Sequence, residues 1–130
     1  MGLAIYVNEQ TDRIPFYEGI NALVKADGLI IVGSNDPQYT ASKIYPYLMA
    51  EKPLLAIFHP ESSAFNIINT CGVGPVISLI EDEKAIEQAY QKLSTINTKK
   101  VLSLNRENLD KYSASNMTKY QCELFNEVVD

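Results

Sequence analysis

The chain has no tryptophan, one histidine and two cysteines among its 130 residues. His59, Cys71 and Cys122 are scattered and form no CxxC pair, so the usual zinc and iron–sulfur ligand sets cannot be assembled. Two reduced thiols of a cytosolic protein are expected rather than a disulfide. Basic residues are also scarce. Eleven Lys and Arg stand against sixteen Asp and Glu, a net charge of −5, and acids outnumber bases in both halves of the chain. That balance excludes a basic nucleic-acid footprint and argues against binding to polyanions or acidic membrane surfaces. The longest apolar run, Gly28 to Gly33, is far too short to span a membrane. The opening Met1-Gly2-Leu3-Ala4-Ile5 lacks the basic segment and cleavage site of a signal peptide. Tyr6 stands where a myristoylation motif requires Ser or Thr. A cytoplasmic location is the expectation. Both glycine-rich phosphate loops, the Rossmann GxGxxG and the Walker A sequence, are missing as well.

What is present is ordinary globular composition, 46% apolar and 21% charged, in a length suited to one domain over residues 1–130. Short apolar runs alternate with helical patterns, the signature of an α/β domain with a mainly parallel sheet. Strands are predicted at Leu3–Val7, Leu29–Gly33, Leu54–Phe58 and Pro75–Leu79, giving about four in an open, Rossmann-like sheet with flanking helices. The uninterrupted Leu29-Ile30-Ile31-Val32 run suggests a strand buried on both faces. Between the strands, Pro15 suits a helix start, and Phe16, Ile20, Leu23 and Val24 share one helical face. A second helix is expected from Thr40 or Ser42 to about Glu51. A third is capped by Ser62 or Ser63 and closed by Gly72. Asp82 to Ile96 reads as an amphipathic helix with Ile86, Ala89, Tyr90 and Leu93 inward. Residues 97–114 are the least regular stretch, and Ser115 is expected to cap a last helix over about 115–129.

In open parallel sheets ligands bind beyond the carboxyl ends of the strands. The richest such end is the connection after Gly33, where Ser34, Asp36, Tyr39, Thr40, Ser42 and Lys43 fall within ten residues. A lysine at a helix start opposes the dipole unless an anion shares the site. Hydroxyls, backbone N–H groups and an ammonium together suit a phosphate. The plainer reading is that Ser and Thr cap the helix while Lys43 points into solvent. Pro46 removes a backbone donor and bends the helix if Thr40 caps it, less so if Ser42 does. His59, the only imidazole, follows the next strand and either touches a ligand at the cleft mouth or stacks on a loop neighbour. Tyr45 and Tyr47 read as packing residues. No metal site is expected.

Three segments taken together resemble the donor-binding half of glycosyltransferases built from two facing Rossmann domains, the GT-B type. They are Ala26 to Ser34, Tyr39 to Leu48 and Lys52 to Ala56. The likeness covers roughly residues 14–80, and the closing Met117–Val129 segment resembles the family's last helix. The resemblance implies a pocket for a sugar nucleotide, with its pyrophosphate against Thr40 to Lys43 and with Ser42 and Lys43 as side-chain partners. No separate cofactor is implied, because the sugar nucleotide is the donor substrate. Relatives carry a glutamate for the ribose diol where this chain has Pro46, and another near the sugar where it has Gln38. The resemblance also implies a partner, an N-terminal glycosyltransferase domain missing from this chain, and a donor domain truncated ahead of Leu3. A domain fragment without turnover of its own is the expectation, with self-association through the Leu3–Val7 strand edge or the last helix, unless Leu3–Val7 pairs directly with Leu29–Gly33 and closes a four-stranded monomer. Two other classes fit the same fold: a non-catalytic interaction module, and a flavodoxin-like domain phosphorylated on Asp36. The last lacks the acidic pair, since Asn8-Glu9 supplies one acid.

Overall fold

The computed structural model describes residues 6–72, 74–79, 82–95 and 104–129. The chain forms, in order, α1 (Phe16–Lys25), β1 (Leu29–Val32), α2 (Ile44–Met49), β2 (Leu54–Phe58), α3 (Ser63–Cys71), β3 (Val76–Ser78), α4 (Glu83–Thr95), α5 (Arg106–Asp110) and α6 (Ala114–Val129). It is an α/β protein whose open sheet has three parallel strands in the order β1-β2-β3. Three strands among the described residues replace the four expected. Most of the expected Leu3–Val7 strand lies outside the described residues, and its last two positions, Tyr6 and Val7, are exposed and not extended into the sheet.

Strand alternation sorts the side chains of β2 to opposite faces of the sheet. Leu54, Ala56 and Phe58 meet Ile44 and Leu48 of α2 and Ala64, Ile67, Ile68 and Cys71 of α3 in the main core. Leu55 and Ile57 face the other way, where Ile77 and Ala89 of α4 complete a smaller cluster. Parallel pairing of Ile30 with Leu55 and of Val32 with Ile57 puts Ile30 and Val32 on that second face. They are 54% and 63% exposed. The expectation that β1 is buried on both faces is therefore corrected. It is an edge strand among the described residues, and α4 packs over β2 and β3. Apolar runs indicate a strand's tolerance for burial, while its position in the sheet decides whether burial occurs.

Local chemistry sets most element ends. The Ser62 hydroxyl accepts from the Phe65 N–H at 3.2 Å, and Gly72 takes the left-handed conformation that closes α3. Pro15 holds the cap position of α1, on which Leu23 is half-buried against the core while Phe16 and Val24 are exposed. α2 begins later than expected: Lys43 occupies its cap position without a side-chain cap bond. Pro46 is then the third helical residue, where the missing N–H would have had no partner inside the helix. That relieves the conflict between Pro46 and the helix. On α4, Ala89 is buried as expected, whereas Ile86 and Tyr90 are exposed. The stretch read as irregular contains α5, whose cap Asn105 accepts from the Asn108 N–H. For α6 the capping hydroxyl is Ser113, which accepts from Asn116, and not Ser115.

Candidate functional site

Because the strands are parallel, the connections leaving β1, β2 and β3 emerge at one carboxyl edge of the sheet. The Gly33 N–H donates to the Ile57 carbonyl at 2.8 Å, extending the pairing by one residue beyond β1. Continuing that register brings Ser34 abreast of His59. Gly33 is required there, since a Cβ on it would lie 2.2 Å from the Phe58 ring. A larger residue would push the ring out of the core or the connection out of the edge. On the far side of β2, the Leu79 N–H donates to the Phe58 carbonyl at 3.0 Å.

The connection from Ser34 to Lys43 is shaped by its own polar side chains. Ser34 Oγ accepts from the Asp36 N–H at 3.1 Å, and Asp36 Oδ1 accepts from the Gln38 N–H at 2.9 Å. The Tyr39 N–H donates to the Asp36 carbonyl and the Ile44 N–H to the Ala41 carbonyl, both at 3.1 Å. The first two are the serine and Asx turns that short polar side chains form in place of regular structure, and the last two are backbone turns. Ser34 and Asp36 thus act here as loop-formers. Ala41 is buried and anchors the connection, while Asp36, Tyr39, Thr40, Ser42 and Lys43 are exposed to solvent. The six residues share one connection at the carboxyl edge of the sheet. α2 is only six residues long, so the dipole expected to support an anion at its start is weak. Any anion here would depend on Lys43, the hydroxyls and the loop backbone.

His59 is half-buried, and its Nδ1 accepts from the Glu61 N–H at 3.2 Å. That bond assigns the proton of the neutral ring to Nε2, leaving Nε2–H as a donor. The His59 carbonyl accepts from both the N–H and the hydroxyl of Ser62, at 3.0 and 2.8 Å, which ties the loop to the start of α3. Tyr45 and Tyr47 are half-buried against the core, as packing residues should be.

A cavity of about 620 Å³ lies elsewhere, between α2, α5 and the root of α6. Tyr45, Met49, Leu109 and Tyr112 supply its apolar walls, and the Glu51–Arg106 ion pair lies among its polar lining. The Tyr45 and Tyr112 rings are 5.8 Å apart. Burial, followed by the neighbouring Tyr112, pushes the Tyr45 hydroxyl's pKa above its ordinary value. Glu51 has φ 53°, the left-handed region that glycine usually fills just after a helix. None of the six connection residues lines this cavity. It escaped the sequence reading because α5 is a single short turn. The available signal was Asn105, a cap residue ahead of Arg-Glu-Asn-Leu.

Among the described residues no three His, Cys, Asp or Glu side chains gather as a metal site, and no helix is long and apolar enough to cross a membrane. No protein-family model, curated protein or solved structure matches this chain.

Proposed function

We propose that this chain is the donor-binding domain of a GT-B type glycosyltransferase. It would hold the diphosphate of a sugar nucleotide at the Ser34–Lys43 connection for transfer to an acceptor carried by an N-terminal domain. The supporting observation is that the connection carrying Thr40, Ser42 and Lys43 and the loop that begins at His59 both leave the carboxyl edge of a parallel sheet, where Ser34 stands abreast of His59. That edge is where α/β folds bind nucleotides. In this reading the Lys43 ammonium offsets the charge that builds on the departing diphosphate, and the hydroxyls of Thr40 and Ser42 orient its oxygens. His59 Nε2–H adds a neutral donor from the adjacent strand end. Pro46 and Gln38 leave the ribose and sugar without the two carboxylates of the wider family, so phosphate recognition carries more of the affinity.

Titrating the chain with uridine, guanosine and adenosine diphosphates tests the reading. Replacing Lys43 with Ala should weaken the tightest of them about tenfold or more relative to Lys84→Ala on α4. Loss of one charge-assisted contact costs about 1.5–3 kcal/mol. Equal affinities for the two variants would overturn the assignment. The second reading, a non-catalytic interaction module, is favoured by one observation: α6 exposes Met117, Tyr120, Leu124, Phe125 and Val128. Absence of any diphosphate binding would favour it.

A further inference from the structure

From Met117 to Val128, α6 is exposed around its whole circumference. Its side chains are nevertheless sorted, with the five apolar residues forming one stripe along the helix. An isolated helix of this length is marginal in water, so an amphipathic one draws its stability from whatever its stripe is laid against. At the root of α6, Ala114 lines the cavity between α2 and α5. By helical geometry Ala114 shares a face with Gln121, Phe125 and Val128. Stripe and cavity are therefore one continuous surface, apolar along the helix and aromatic at its base.

We propose that a second copy of this chain covers that surface. Two α6 helices pair antiparallel about a two-fold axis, and the Phe125–Val128 end of each seats in the cavity at the root of the other. A two-fold contact uses the same patch twice, and here one patch contains both the projecting end and the cavity that receives it. With the stripe residues 51–78% exposed, stripe and cavity walls offer about 1,000 Å² over the two copies, the least a biological interface should clear and a size that fits a pair dissociating on dilution. Met49, 70% exposed at the cavity, becomes buried in the pair. Among the described residues the outer edge of β1 is unpaired; that edge is the competing route to association, and it takes no part. The inference does not depend on the donor-domain reading, since the two sites share no residue.

Analytical ultracentrifugation of the full chain over the micromolar range decides it. The unmodified chain should sediment as a dimer that dissociates on dilution. Phe125→Asp and Met49→Lys should each weaken association about tenfold or more. Both positions are exposed in a single copy, and circular dichroism should show both variants folded. Ile30→Lys, on the sheet edge, should leave association unchanged. A monomer at every concentration, insensitivity to Met49→Lys, or dissociation by Ile30→Lys would each overturn the proposal, the last in favour of strand pairing.

Discussion

The two faces of the sheet are built from similar residues and end up in different states. On one, Leu54, Ala56 and Phe58 are sealed beneath α2 and α3, with Ile44, Leu48, Ile68 and Cys71 completely or almost completely buried. On the other, Leu55, Ile77 and Ala89 form a small cluster under α4, and Ile30 and Val32 remain open. Leucine and isoleucine serve both faces, so hydrophobicity does not account for the contrast. Helix supply does. The connections on either side of β2 both return over the first face, whereas among the described residues α4 is the helix packed on the second. One consequence concerns Cys71, at the end of α3, where burial raises the thiol pKa and keeps it protonated and poorly reactive. Cys122, exposed on α6, has no such cover.

The largest expected break in this contrast is Phe58→Ala. It should lower unfolding free energy in denaturant melts by about 3–5 kcal/mol, because the ring fills the main core and also lies against Gly33. A loss under about 1 kcal/mol would mean the first face is not the stabilising one. Next is Ser62→Ala, which removes the cap of α3 and the bond to the His59 carbonyl. The same melts should register a loss of about 1 kcal/mol. The smallest is Val32→Thr on the open face, expected to stay within about 0.5 kcal/mol of the parent. A larger loss there would show that Val32 is covered in solution.

Much of the fold was legible because its signals are local. The strands at Leu29, Leu54 and Val76, the capping of α3 by Ser62 and its closure by Gly72 each follow from a few neighbouring residues. The errors share a cause. Ser115 reads as the cap of the last helix from residue type, but Ser113 carries an equivalent hydroxyl, and only the backbone decides which one precedes the first turn. The spacing of α4 turns Ile86, Ala89 and Tyr90 inward, yet of these three the packing on β2 and β3 buries Ala89 alone. At the candidate site, the sequence marked the polar connection from Ser34 to Lys43. It did not disclose that Ser34 and Asp36 spend their oxygens on the loop's own N–H groups.

By itself, then, the amino-acid sequence determined the α/β class, the strand segments, the acidic surface and the cluster of hydroxyls around Lys43. All of these depend on residue type and short-range spacing. Tertiary structure alone decided that β1 is an edge strand among the described residues, that α5 and the root of α6 enclose a cavity with α2, and that the apolar stripe of α6 lies open. Those outcomes depend on which segments meet across long separations in the chain. An apolar pattern states only that a face can be buried. What buries it is set by the neighbours the fold supplies.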